Sequence, residues 1–253
     1  TPLDARDTGI CPFGKTGVIV TSFNNTADFQ RQNNTDNEYA QRYIDTMTAE
    51  DEEKYLGSTF RISHDCGITF GRILHSPVTS PHGPTELRDG TILWAGNRFD
   101  NVEGGIEVVR LNTENGETES VGKITLDDDK IFLNEPHLIE MPDGKLICHI
   151  RAENSTVFTT YQSVSFDKGR TWSAPEMLLE VDGGAPPHLI LLSSGILLCT
   201  YGRRKQPYGI MAMVSRDGGQ SWEKDIRLFE NTASDDIGYP STIELGDGTL
   251  LTV

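Results

Sequence analysis

The chain has 253 residues, 38 acidic against 22 basic, and a formal charge of −16 at pH 7, with 36% hydrophobic and 24% charged residues. This size and apolar fraction allow a large core, and the negative balance argues against nucleic acid or an anionic membrane surface as a general partner. No run of 18 apolar residues occurs, so no membrane-spanning helix is expected.

The sequence opens on Thr1 rather than Met, with no signal peptide visible, and closes inside the apolar run Leu250-Leu251-Thr252-Val253. A processed or trimmed start, a secreted or periplasmic location and a fold that continues past Val253 are therefore expected. The cysteines Cys11, Cys66, Cys148 and Cys199 have no CxxC spacing, which speaks against zinc ribbons and redox motifs; no metal and no cofactor are expected.

In chain order, GVIVTSF (Gly17 to Phe23) reads as a strand, and the acidic, polar stretch from Asn37 to Tyr55 is the one candidate helix, expected as a surface insertion. Next comes the octet SHDCGITF from Ser63, which recurs as SFDKGRTW from Ser165 and SRDGGQSW from Ser215. A decayed copy from Asn112 to Glu119 puts Glu114 in the Asp place, so the four members stand 49, 53 and 50 residues apart. A second phrase alternates with the first: PHGPTELRDGTILWAGNR, NEPHLIEMPDGKLICHIR, APPHLILLSSGILLCTYGRR and GYPSTIELGDGTLLTV. Each is an apolar stretch, a D-G or S-G turn and a second apolar run, the form of a β-hairpin.

Several strands per period of about 50 residues, with almost no helix, fit the blades of an all-β propeller. The octet has a structural reason: an Asp that caps turn amides, a Gly able to take positive φ, and an aromatic to pack between strands. Asp65, Asp167 and Asp217 are thus read as architectural.

Register picks out the candidate site. Glu135 lies eight residues before the turn residue Asp143, and Tyr239 eight before Asp247. Equal register on equivalent strands turns both side chains toward one mouth of the axis. His137 and His188, each six before their turns, share that face, and His82 recurs at another strand start. Convergent titratable groups in a funnel are what a small-molecule site requires.

The octets resemble the Asp-boxes, or BNR repeats, of the sialidase (neuraminidase) superfamily, and the resemblance runs from about Gly57 to Val253. The strand from Asn134-Glu135 to Arg151 and the later strand opening Gly238-Tyr239 are similar to inner strands of exo-sialidases, and the parts come in the same order. The resemblance implies a six-bladed propeller over one domain, residues 1–253, and a retaining hydrolase of sialoglycans or a related acidic sugar. In it Tyr239 is the nucleophile, Glu135 its base, Asp28 the acid/base, and Arg151 a carboxylate clamp helped by Arg6, Arg203, Arg204 and Tyr208, with His82, His137 and His188 as further substrate contacts. A phenol suits a sugar carrying a carboxylate on its anomeric carbon, because a carboxylate nucleophile about 4 Å away would be repelled by about 4 kcal/mol at an effective dielectric near 20. Two alternatives stand beside it: a propeller hydrolase or lyase of a uronic acid or neutral glycan, for which the histidines and the incomplete arginine set speak, and a non-catalytic glycan-binding propeller.

Overall fold

The computed structural model describes residues 3, 5–99, 104–128, 130–230, 232–235 and 237–253. The first sheet holds β1 (Ala5–Arg6), β2 (Ile10–Phe13), β3 (Gly17–Asn24), β4 (Gly57–Ser63) and β5 (Leu74–His75), with helices α1 (Ala27–Asn33), α2 (Glu38–Ile44) and α3 (Ala49–Tyr55) inserted between β3 and β4. The second holds β6 (Val78–Thr79), β7 (Thr85–Glu86), β8 (Ile92–Arg98), β9 (Ile106–Leu111) and β10 (Thr118–Ile124). The third is β11 (Phe132–Glu140), β12 (Leu146–Glu153), β13 (Phe158–Ser165) and β14 (Glu176–Met177), and the fourth β15 (Pro187–Leu191), β16 (Leu197–Arg203), β17 (Gly209–Ser215) and β18 (Glu223–Glu230). A fifth is represented by the hairpin β19 (Thr242–Glu244) and β20 (Leu250–Thr252).

Strand pairing is antiparallel throughout; the third and fourth sheets follow chain order, while in the first β1 and β2 both pair with β3 and in the second β6 and β7 both pair with β8, a succession of sheets that matches the blades of a propeller. Of the six blades expected, four full sheets and the start of a fifth are seen among the described residues. The insertion is larger than the sequence indicated: three capped helices begin at Ala27, where one was expected from Asn37.

A blade buries its faces only against other blades, and the core is laminated accordingly. Ile19, Phe60, Ile92 and Trp94 fill the joint between blades one and two; Leu93, Val108, Leu138 and Leu146 fill the next; Ile139, Ile147, Leu189 and Leu197 fill the third. The octets close these joints. In the second, Asp167 Oδ1 accepts from the Thr171 amide at 2.8 Å and Oδ2 from the Thr171 hydroxyl at 2.6 Å, while Ser165 Oγ accepts from the Gly169 amide at 3.0 Å. The octets at Asp65 and Asp217 repeat the pattern. Trp172 and Trp222 pack onto the blade before their own, whereas Phe70 of the first octet is exposed. Gly219 has φ +85°, a dihedral that favours glycine, and a methyl group there would also come within 2.8 Å of the end of the Ile147 side chain. In the decayed copy the turn is organised by Asn112, whose side chain accepts from the Glu114 amide, and not by Glu114.

A second device recurs at the hairpin turns. Glu86, Glu140 and Glu244, each three residues before its turn centre, accept the turn amides of Gly14, Arg88 and Ser193 in the preceding blade at 2.9, 2.5 and 2.7 Å. Where that donor position is occupied by Pro142, which has no N–H, the next blade carries Leu191 in place of the glutamate.

Two outcomes follow. Replacing Asp167 by alanine frees the Thr171 amide and is expected to lower Tm by several degrees with little effect on any activity, read by calorimetry. Acid acts through two sets of groups. Hydrogen bonds hold Asp65 and Asp167 at about 2, below the ordinary 3.8, so their contribution is present above pH 3.8 and is lost as pH falls through about 2. Burial pushes His82 to about 3 and His149 and His188 to about 4, so the unfolded chain takes up these protons first. Stability should therefore fall as pH drops from 6.5 toward 4, by up to about 1.4 kcal/mol per pH unit per histidine, and further below 3.8; urea midpoints across pH measure it.

Candidate active site

The ladder between β11 and β12 slips between Asn134 and His137, and Glu135 sits in this bulge with φ 45°. The Asn97 side chain holds the distorted segment, accepting from the Glu135 amide at 3.1 Å and donating to the Leu133 carbonyl at 2.6 Å. Tyr239 has φ 59° and follows Gly238, whose Cα lies 2.7 Å from where a Cβ on Gly202 would stand. Backbone strain of this kind costs about 1–3 kcal/mol per residue and persists where surrounding structure fixes it. Here it aims the Tyr239 hydroxyl at Glu135: Oη donates to Oε1 at 2.7 Å. Tyr239 remains 40% exposed, so the hydroxyl-bearing ring is reachable from the mouth.

The other carboxylate oxygen of Glu135 accepts from Arg151 Nη1 at 2.7 Å. Arg151 also donates from Nε and Nη2 to Glu153 Oε2, at 3.1 and 2.5 Å, and Asn134 donates to Glu153 Oε1 at 2.6 Å. The guanidinium carbons of Arg151 and Arg204 lie 4.8 and 5.2 Å from the Phe158 ring centre, and Arg204 Nε donates to the Ile237 carbonyl two residues before Tyr239. Arg151, Glu153, Phe158, Asp182, Arg204 and Lys205 line a recess of about 230 Å³. Burial disfavours the charged Arg151, but Glu135 and Glu153 outweigh it and hold its proton more firmly than usual. Desolvation first, then the negative charge and hydrogen bond of Glu135, raises the affinity of Tyr239 for its proton. A resting phenolate is therefore disfavoured, and the phenol can act as a nucleophile only as its proton passes to Glu135.

Tyr239 also borders an axial cavity of about 920 Å³ that runs past His82, His137 and His188 to Glu86 and Leu191 near the hairpin turns. The three imidazoles touch one another, with ring centres 4.7 to 5.0 Å apart. His137 Nδ1 accepts from the Leu189 amide at 2.9 Å and His188 Nδ1 from the Thr242 amide at 3.3 Å, so each ties its blade to the next and carries its ring proton on Nε2. Burial, reinforced by the neighbouring histidines, keeps His82 and His137 neutral. Among the described residues no group of three His, Cys, Asp or Glu is arranged to hold a metal ion.

Not every expected residue is here. Asp28 lies on the first turn of α1, exposed and paired with Arg31 at 3.3 Å. Arg6 is exposed on β1, Arg203 ends β16 opposite Gly209, and Tyr208 is half-buried in the following turn; none of them lines either cavity. The carboxylate that does line the axial cavity beside Tyr239 is Asp7, and its charge is felt by the phenol. Asp7 has φ 50° and stands eight residues before Lys15, the centre of the β2–β3 hairpin, in the register of Glu135 and Tyr239. That count was available in the sequence, but the Phe13-Gly14-Lys15-Thr16-Gly17 turn does not resemble the D-G turns of the other blades. Three titratable side chains thus occupy one register position on three blades, each with left-handed backbone.

The BNR repeat-like domain family matches residues 29–252. No curated protein matches the chain. Among solved structures, a protein of unknown function from Dyadobacter fermentans has a TM-score of 0.77 at 19% identity, over 98% of this chain and 71% of its own. The α-L-arabinofuranosidase of Fusarium graminearum bound to arabinobiose has a TM-score of 0.65 at 15% identity, over 100% and 76%. A Hadza microbial sialidase has a TM-score of 0.62 at 16% identity, over 95% and 48%, so this chain spans about half of it. At these identities the likeness establishes the propeller fold.

Removing Arg151 would leave Glu135 and Glu153 facing each other in a site where both are largely covered. Arg151→Ala is expected to destabilise the fold by about 3 kcal/mol in denaturant titration, and Arg151→Lys, which cannot bridge both carboxylates, by a smaller amount.

Proposed function

We propose that this chain, which belongs to the BNR repeat-like domain family of the sialidase superfamily, is a retaining glycoside hydrolase working from a six-bladed propeller. The single observation that carries the reading is the 2.7 Å hydrogen bond from Tyr239 Oη to Glu135 Oε1, made between the segment leading into β19 and β11 of another blade, with Tyr239 partly exposed. In the proposed first step Tyr239 Oη bonds to the anomeric carbon, its proton passes to Glu135, and the glycosidic oxygen leaves with a proton from Asp7. In the second, water attacks the anomeric carbon and gives a proton to Asp7, while the departing Tyr239 recovers its own from Glu135. Arg151 keeps Glu135 oriented through Nη1.

The sugar favoured by a neutral nucleophile is one with a carboxylate on its anomeric carbon, of the sialic acid class, its carboxylate directed to the recess of Arg151 and Arg204. Two arginines close to the pair support this, Arg151 bonded to Glu135 and Arg204 to the Ile237 carbonyl two residues before Tyr239. A second reading, a neutral or uronic sugar hydrolase, is favoured by a different observation: Arg151 already satisfies two carboxylates and has less to offer a third. Similar structures include both sialidases and arabinan-degrading enzymes.

The expected outcome with an umbelliferyl sialoside is turnover with retained anomeric configuration by NMR. Tyr239→Phe should lower kcat by about a thousandfold or more, and Glu135→Gln by a hundredfold or more, with Tm within a few degrees. Turnover of arabino-oligosaccharides alone would select the second reading, and full activity of Tyr239→Phe would exclude the nucleophile.

A further inference from the structure

Charge is divided unequally across the site. Arg151, Arg204 and Lys205 border the recess beside Phe158 together with Glu153 and Asp182, which pair with Arg151 and Lys205, so three positive charges face two negative ones and Arg204 carries the excess. The axial cavity, which borders Tyr239 and shares no lining residue with the recess, is lined by the carboxylates Asp7 and Glu86 and, among its described lining residues, by no lysine or arginine. A carboxylate or sulfate entering it would lose water and meet like charge. Its polar lining otherwise consists of neutral hydrogen-bonding groups: three imidazoles, and the hydroxyls of threonine and serine side chains such as Thr85 and Ser241.

Those imidazoles are incompletely used. His137 and His188 spend Nδ1 on the amides of the next blade, which leaves an Nε2–H donor on each; His188 Nε2 has only a long contact of 3.4 Å, to Ser241 Oγ. His82 Nε2 is buried with no hydrogen-bond partner, an uncommon state for a buried polar atom. A hydroxyl group both donates and accepts hydrogen bonds, so a single polyol can accept one from His137 Nε2–H and donate or accept one at His82 Nε2. The volume of about 920 Å³ lies toward the upper end of small-molecule sites.

We propose that the axial cavity binds a neutral, hydroxyl-rich sugar unit on His82 and His137, so that any acidic group of the same ligand is turned toward the arginine recess. The proposal deepens the hydrolase reading and rests on it, in that the cavity is taken as a substrate subsite next to Tyr239. It assigns the histidines to substrate selection as well as to the joints between blades.

The test is binding without turnover, using the Tyr239→Phe protein titrated with methyl β-galactoside and methyl β-galacturonide, which differ in charge at one carbon. The neutral sugar should bind at least tenfold more tightly and shift the ring resonances of His82 and His137 in labelled protein. His82→Leu should weaken it at least tenfold, with His82→Gln recovering part of the loss. Equal or tighter binding of the galacturonide, or binding of the galactoside that leaves the histidine resonances and the His82→Leu affinity unchanged, overturns the proposal. The comparison of the two sugars needs no histidine variant, so it decides the matter if those variants do not fold. Absence of sugar binding while wild-type protein cleaves sialosides would sink this inference alone, and binding with no hydrolysis of any glycoside would sink the hydrolase reading alone.

Discussion

A propeller blade is a sheet with two apolar faces and no way to cover either by itself, and most of what this chain encodes answers that constraint. The large buried side chains are shared across joints and are not gathered in one centre. Polar groups register the joints at three levels: histidine nitrogens on amides near the axis, glutamates on turn amides at the hairpin ends, and octet turns at the opposite strand ends with their tryptophans laid on the blade before. These bonds are individually modest, but each is repeated and each sets the relative height of two strands. Since the site is assembled from residues on different blades, the same bonds determine whether Tyr239 and Glu135 meet.

The site itself departs from regular strand geometry. Glu135 needs a bulge and Asn97 to hold it; Tyr239 needs Gly238 and the bare backbone of Gly202 beside it. Left-handed backbone at Asp7, Glu135 and Tyr239 marks the positions where the inner strands enter from the mouth, and at these positions the chain gives up backbone comfort to aim a functional group. For Glu135 the energetic offset comes from the regular part of its own strand, which is buried and paired with β12 from His137 onward.

How far the sequence could be read depends on whether a feature was repeated. The period of about 50 residues, the octet turns and the hairpins recur, so the propeller and the equal register of Glu135 and Tyr239 could be counted directly. Histidine convergence was legible for the same reason. Asp7 was hidden because its hairpin turns through Gly14-Lys15-Thr16 without the D-G signature, while Asp28, which follows the GVIVTSF strand in sequence, belongs to the first helix of a three-helix insertion, and Arg6 sits on the short exposed strand β1. Arg204 was legible as a substitute for an absent clamp, whereas its stacking on Phe158 was not, since nothing in sequence spacing connects β13 to the loop after β16. The glutamates three residues before the turns stood in plain view, but their partners lie in the preceding blade and only coordinates pair them.

The joint without a glutamate carries a lesson about how such a chain can change over time. Pro142 offers no amide and Leu191 no acceptor, and the two absences match across the third and fourth blades. A glutamate arriving alone at position 191 would find no amide on Pro142, while a new amide at the exposed position 142 would find no acceptor on Leu191. Either step alone gains no hydrogen bond, so selection for the polar link can act on this seam only once both replacements are present.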